Sequence, residues 1–320
     1  MKILLMNSFV KSLKQHAKLL GFSQLGITNN TEPSSYNHYL SWVNHGYAGN
    51  MHYMSESYRK QRRKSAKNLL PSTQSILVGT FSYYRKSDFS SPLKFARYGW
   101  GKDYHIFVAE RLHQLETYMR SQIKEPFETK IVVDTSAILE RDFAKQAGVG
   151  WIGKNTMLLH KEDGSYLYLG LILTSLKLPE DKATTSHCGS CTACLDACPT
   201  NAFEKPFVLN AKKCISYQTL ENRKEDMPKK IKSNLHGWIA GCDICQEVCP
   251  WNRKAKQTNI EETNPLAHPS LTAKEIEGMQ TAEFEALFKE TAFFRTGLVK
   301  LKKNAESALK TLQKPSSSQP

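Results

Sequence analysis

Residues 187–203 read HCGSCTACLDACPTNAF, in which Cys188, Cys191, Cys194 and Cys198 follow the pattern C-x2-C-x2-C-x3-C and Pro199 closes the run. Bacterial 4Fe–4S proteins use this spacing: the first three thiolates hold one cluster and the fourth reaches a second. A second set follows, Cys214 and then Cys242-x2-Cys245-x3-Cys249-Pro250, with 27 residues between Cys214 and Cys242. The same crossover assigns Cys188, Cys191, Cys194 and Cys249 to one 4Fe–4S cluster, and Cys198, Cys214, Cys242 and Cys245 to the other. Paired C-x2-C elements also suit tetrahedral zinc. The third closely spaced cysteine and the two Cys-Pro endings favour iron–sulfur. Two neighbouring clusters make an electron relay, and a relay implies an acceptor that the rest of the chain must provide or bind.

Outward from the cysteines, charge and sulfur separate along the chain. Of the 320 residues, 44 are Lys or Arg and 30 Asp or Glu, a formal net charge of +14. Residues 1–180 hold 24 of the basic and 14 of the acidic residues and no cysteine, whereas all eight cysteines lie beyond. The polar stretch around Pro179 marks one boundary and the one carrying Pro265 and Pro269 a second. The expected organisation is a first domain over 1–178, a cluster domain over 179–255, a helical segment over 256–314 and a disordered tail over 315–320. With 40% hydrophobic residues the chain can bury a core. No apolar run approaches the ~20 residues of a membrane helix. A cytoplasmic, monomeric protein with no membrane partner is expected, and in that reducing compartment eight cysteines read as metal ligands rather than disulfides.

Local patterning predicts helices over 8–20, 103–123 (with Asp103 as N-cap), 138–147 (ended by Gly148), 272–290 and 296–312. Strands are predicted over 75–81, 130–134 and 166–174. In the first domain, FARYGWGKDYH (95–105) gathers Arg97, Tyr98, Trp100, Tyr104 and His105 around two glycines, a composition that suits a ligand surface as well as a solvated loop. Asp134 ends a β-branched run at a strand terminus, where a helix cap or turn residue is the plainer reading. Glu140, Arg141 and Asp142 read as a solvated helix face. GVGWIGKN (148–155) has three glycines but lacks the Gly-Lys-Ser/Thr phosphate loop.

Taken in order, RYGWGKDYH (97–105), VDTSAILERDFAKQAGVGWIGKNTMLLH (133–160), the two cysteine runs, KKCISYQTLE (212–221) and LLPSTQSILV (69–78) resemble the epoxyqueuosine reductases. These are cobalamin-dependent iron–sulfur enzymes of tRNA queuosine synthesis. The resemblance covers most of residues 50–255. It implies an α+β fold: a cobalamin-binding, nitroreductase-like or reductive-dehalogenase-like domain, a ferredoxin-like double 4Fe–4S domain and C-terminal helices. It also implies reduction of epoxyqueuosine to queuosine at the tRNA wobble position, with cob(I)alamin attacking the epoxide and a carboxylic acid protonating its oxygen. The acid falls on Asp134, whose pKa should then be raised by burial. Arg141, Asp142, Tyr104 and His105 fall on the substrate pocket. Arg97, Asp134, Gly153, Lys154, Asn155, Thr156, Leu158, Ser216 and Gln218 fall near cobalamin. Some family members carry a helical-repeat extension, which this chain is expected to lack.

A tRNA substrate gives the basic residues a reading beyond solvated surface, since phosphates bind Lys and Arg. Arg59, Lys60, Arg62 and Arg63 form one candidate patch for the anticodon stem-loop; Arg223, Arg295, Lys300, Lys302 and Lys303 form another. The partners expected are tRNA and an electron donor of unspecified identity. The competing reading is a corrinoid iron–sulfur reductase of a small molecule, of the reductive dehalogenase kind. A third is a ferredoxin-like carrier, against which the large cysteine-free domain speaks, or a zinc RNA-binding module, which a brown colour with absorption near the cluster and corrin bands would exclude.

Overall fold

The computed structural model describes residues 2–86, 89–223 and 226–312; the tail expected to be disordered, 315–320, lies outside them. Its first part is built on a four-stranded antiparallel sheet in the order Gln24–Thr28, Ser75–Ser82, Leu167–Thr174, Thr129–Val132. The Ser75–Ser82 strand, SILVGTFS, is buried along its whole length, because the sheet is covered on both faces. Leu77 and Phe81 point to one side, where the helices Lys2–Leu19 and Tyr104–Gln122 bring Leu13, Ala17, Leu112 and Leu115. Ile76 and Val78 point to the other and meet Phe143 and Ala144 of the helix Glu140–Gln146. The result is a helix–sheet–helix sandwich whose strand alternation follows the period of two. Gly26 shows how tightly the layers approach, since a Cβ there would stand 2.1 Å from the carbonyl oxygen of Ala147.

Asp103 caps the Tyr104–Gln122 helix by accepting from the backbone N–H of His105. Gly148, at φ +76°, follows the Glu140–Gln146 helix. The first helix begins at Lys2, earlier than its apolar periodicity indicates. The span 272–290 divides into Ala273–Gly278 and Thr281–Phe288, because Thr272 with Glu275 and Gln280 with Glu283 each form a capping box that starts a helix.

A second core joins parts of the chain that are far apart in sequence. Leu93, Phe95 and Trp100 pack with Leu235, Trp238 and Ile239 and with Ile276, Phe288, Phe293 and Leu301. The short strand Trp238–Ala240 pairs in parallel with Lys94–Phe95. The C-terminal helix Leu298–Leu312 lies across it, with Leu301, Asn304, Ala305 and Ala308 inward at helical spacing. Asn304 is 3% exposed, and its amide donates to the carbonyls of Thr219 and Ile239, both at 2.9 Å. The one-turn helices Ala193–Asp196 and Ile244–Glu247 pack against each other and carry Cys194 and Cys245. No helix among the described residues is long and apolar enough to cross a membrane. Replacing Asn304 by Ala strands two buried carbonyls and should lower unfolding free energy by ~1–3 kcal/mol, measured as a lower urea midpoint at an unchanged m value.

Candidate active site

The eight cysteines are free thiols and stand in two groups. Cys194 feels the charges of Cys249, Cys188 and Cys191. Cys242 feels Cys214 and Cys245, and Cys214 feels Cys198. Cys245 also senses Cys194, so the two groups are neighbours. Burial, reinforced by this mutual repulsion, pushes the Cys194 thiol up to about 11 and the Cys242 and Cys245 thiols well above their ordinary value. Such thiols become thiolates only against compensating cations. Among the described residues no three His, Cys, Asp or Glu side chains close on one point as a single ion requires. Instead Cys188, Cys191, Cys194 and Cys249 ring a cavity of about 230 Å³, with Lys154, Asn155 and Trp251 in its wall. The donor set and the cavity fit a multi-atom iron–sulfur cluster. Cys191 is exposed, so this group reaches solvent on one side, while its Cys249 is buried.

One short loop ties both groups to the sheet domain. Lys154 Nζ donates to the carbonyls of Gly189 (2.7 Å) and Cys191 (2.9 Å), and Asn155 Nδ2 donates to the carbonyl of Cys245 (3.3 Å). A turn closed by the Thr156 N–H donating to the Gly153 carbonyl leaves Thr156 at φ +67°, a left-handed conformation that a β-branched residue rarely adopts. Arg141 donates to the Thr156 carbonyl at 2.5 Å. Leu158 turns away into the core with Phe143, and Phe207, half exposed at a hairpin tip, donates its N–H to the Lys154 carbonyl.

Beyond Arg141 stands Asp134, which the strand expected over 130–134 does not reach: the hydrogen-bonded strand Thr129–Val132 ends two residues before it. Its φ of +50° turns the carboxylate out of the sheet, leaving the side chain 50% exposed. Its backbone N–H donates to Glu140 Oε1 at 2.8 Å. Its Oδ2 lies 3.0 Å from His105 Nε2, and His105 Nδ1 lies 2.6 Å from Asp103 Oδ1. Tyr104 stacks between His105 and Tyr168, with ring centroids at 4.1 and 4.7 Å.

The sequence expectation of an Asp134 pKa raised by burial does not hold here. Burial does act upward, but the hydrogen bond and charge of His105, with Arg295 and Arg141, outweigh it and hold the carboxyl below its usual value. The raised groups are its neighbours. Burial and the Asp134 charge push Glu140 up to about 8. His105 is pushed up to about 9, because its bonds to Asp103 and Asp134 outweigh its desolvation. Glu140, read from sequence as a solvated face, is therefore part of the site.

Other predicted site residues lie elsewhere. Asp142 is 6% exposed and accepts from the backbone N–H groups of Ser34 and Ser35 and from Gln146, so it holds a loop rather than a substrate. Arg97 points towards the thiols: it pairs with Asp243 (3.2 Å) and Glu247 (2.7 Å) under the rings of Trp100 and Tyr166. Gln218 is 3% exposed and saturated by the Lys212 carbonyl and the Asn222 amide, while Ser216 stays half-buried at the start of the π-helical turn Tyr217–Glu221.

The basic residues also divide. Arg63 is buried, donating to the Tyr53 carbonyl beneath the Tyr39 ring, and is unavailable to a ligand. Arg62 stacks over Tyr58 and Arg59 over Tyr53 on the Ser57–Lys64 helix. Arg223, Arg295, Lys300 and Lys303 all line one open cleft of about 1560 Å³, joined there by Lys229, Lys230, Lys232 and Lys310 against only Asp226 and Glu306. Lys302 is not among the residues that line it. The run Lys229–Lys232 was the overlooked signal, since PKKIK carries three cations in five residues. Arg295 joins the cleft to the acid group: it pairs with Glu221 at 2.5 Å, and its charge acts on Asp134.

Comparison with known proteins agrees with this architecture. Residues 187–252 match the 4Fe-4S double cluster binding domain, and residues 63–135 match the family described as "Epoxyqueuosine reductase QueG, DUF1730". An epoxyqueuosine reductase of Atelocyanobacterium thalassa is 35% identical over 312 residues, 95% of this chain and 100% of the relative. That of Synechocystis is 36% identical over 297 residues, 91% of this chain and 100% of the relative. A crystal structure of epoxyqueuosine reductase with an epoxyqueuosine-modified tRNA-Tyr stem loop superposes with a TM-score of 0.88 at 31% identity, covering 96% of this chain and 82% of that one. The Streptococcus thermophilus enzyme gives 0.82 at 30% identity, covering 94% and 80%. With over a third of its residues shared across nine-tenths of its length, and with the double-cluster thiols in place, the chain belongs to the epoxyqueuosine reductase family and is an oxidoreductase.

Proposed function

We propose that this protein reduces epoxyqueuosine to queuosine at the wobble position of tRNA. The observation that carries the reading is the loop 153–158, which touches both thiol groups through Lys154 and Asn155 and the Arg141–Asp134 group through Thr156. Electron supply and proton supply are thereby brought to adjacent residues of one short loop. Cys188, Cys191, Cys194 and Cys249 hold one 4Fe–4S cluster and Cys198, Cys214, Cys242 and Cys245 the other, fed by an external low-potential one-electron donor.

The strained Thr156, clamped by Arg141, and the open face of Asp134 fit a corrinoid seated against Gly153–Thr156 and Ser216. Cobalamin bound there would supply a strongly nucleophilic cobalt at low potential, chemistry that no side chain offers. The chain's own groups do the rest. Asp134 delivers the proton to the epoxide oxygen, Glu140 fixes the Asp134 backbone, Arg141 fixes Thr156, and Tyr104 holds His105 flat beside the acid. The cationic cleft favours tRNA over a small-molecule substrate, because eight basic side chains around a cleft of about 1560 Å³ suit a polyanion. Arg295 at the Asp134 end of the cleft marks where a base splayed from the anticodon loop would enter.

The direct test supplies purified, cluster-reconstituted protein with cobalamin, a low-potential reductant and epoxyqueuosine-containing tRNA; absence of queuosine from the nuclease digest would overturn the reading. Asp134→Asn should lose about 100-fold or more in turnover, the usual weight of a positioned acid, while its cluster absorbance and tRNA affinity stay near those of the parent. Cys188→Ser and Cys214→Ser should each lose about four of eight irons, counted by iron analysis. The pair Lys229→Glu, Lys303→Glu should weaken tRNA binding about tenfold or more and flatten its log–log salt slope by about 1–2, with cluster content unchanged.

A further inference from the structure

Resting on the proposed reaction, its stoichiometry makes a demand that one carboxyl group cannot meet. Turning an epoxide into an alkene breaks two C–O bonds and forms the second bond of C=C. It consumes two electrons, here from the one-electron donor through the clusters, and two protons, both of which leave with the same oxygen as water. Asp134 carries one proton at a time. It must be recharged before the oxygen departs.

The geometry around it supplies a route. His105 faces a carboxylate oxygen through each ring nitrogen, Nδ1 to Asp103 Oδ1 at 2.6 Å and Nε2 to Asp134 Oδ2 at 3.0 Å. A neutral imidazole donates through one nitrogen only. Satisfying both contacts therefore requires one proton beyond the neutral ring, shared along the line Asp103–His105–Asp134. Asp103 is itself fixed as the cap of the helix that carries His105, and Tyr104 stacks on the ring. Glu140 reaches Asp134 through the backbone N–H and not through the carboxylate, so it does not share this line. The His105 side chain is 26% exposed, open to recharging from water.

We propose that His105 is a positioning residue that holds Asp134 and passes it both protons of a turnover. At rest the line holds its extra proton on His105 and Asp134 is a carboxylate; the first proton moves from Nε2 to Oδ2 and on from Asp134 to the epoxide oxygen. His105, left neutral, takes a proton from water and passes the second by the same contact, and that proton departs in the product water. The titratable carboxyl groups facing the ring are Asp103 beside it, Asp134 from the loop after Val132, and Glu140 from the following helix; Arg141 and Arg295 act on it through the carboxylates. With His105 pushed up to about 9, its charged form persists below that pH and is lost as the pH rises through it.

Two measurements test this on the cluster-loaded protein. Histidine-selective NMR titration should find the His105 ring still charged at pH 8, and Asp103→Asn, which keeps a capping residue, should move its midpoint to lower pH. Turnover should fall on the alkaline side at that same midpoint and shift with it in Asp103→Asn. His105→Gln should lower turnover about 100-fold at pH 8, and His105→Ala should recover part of it with added imidazole. A His105 midpoint near that of a free histidine overturns the relay. So does a turnover limb that stays put in Asp103→Asn while the midpoint moves, or His105→Gln turnover within twofold of the parent. If the parent protein yields no queuosine, the proposed reaction fails instead, and the NMR titration still decides whether the triad holds its extra proton.

Discussion

Cys249 stands with Cys188, Cys191 and Cys194, and Cys198 stands with Cys214, Cys242 and Cys245, so neither cysteine run is complete without the other. Thiols pushed up by burial and by each other gain nothing from this arrangement until cations compensate them. The fold must therefore hold the two runs face to face by other means. It does so with the paired one-turn helices Ala193–Asp196 and Ile244–Glu247 and with Asp243, buried between Cys242 and Cys245. Burial raises Asp243 to about 6 against the pull of Arg97, whose guanidinium and backbone N–H both reach it. That ion pair fastens the segment around Arg97 to the thiols. The Trp238–Ala240 strand beside Lys94–Phe95 continues the junction.

The site is therefore made at a seam. From one side come the helix start at Asp103–His105, the loop at Asp134 and the helix at Glu140–Arg141. From the other come the thiols, the Tyr217–Glu221 turn and Arg295. Two of the five non-glycine residues in left-handed backbone among the described residues, Asp134 and Thr156, occur where the two sides meet, and such strain persists only where surrounding contacts over-determine it. Arg141 bonding the Thr156 carbonyl and Glu140 bonding the Asp134 N–H are those contacts.

Charge is handled differently on the two basic surfaces. On the Ser57–Lys64 helix, Arg62 stacks on Tyr58 and Arg63 is consumed by the fold, so cations dense in sequence are not equally available in space. The C-terminal helix, pinned by Asn304, instead presents Lys303 and Lys310 across a cleft from Lys229 and Lys232. Those side chains repel one another, and a bound polyphosphate chain would relieve that repulsion.

The sequence by itself determined what depends on local spacing. The cysteine pattern divided the eight thiols into two sets of four, because cluster geometry constrains short loops directly. The Ser75–Ser82 strand, the Asp103 cap and the C-terminal helix were legible for the same reason, since period and capping are local properties. Only the tertiary structure decided the ionisation of the acid group. Asp134 lies 29 residues from His105, and which of Asp134, Glu140 and His105 carries a proton depends on contacts between three separate segments. Likewise Asp142 and Asp134 look alike as exposed-type carboxylates in sequence. The fold turns one into the Ser34–Ser35 loop and the other towards His105. Electrostatic energies act through space rather than along the chain, so the protonation pattern of the site follows from the packing and not from any motif.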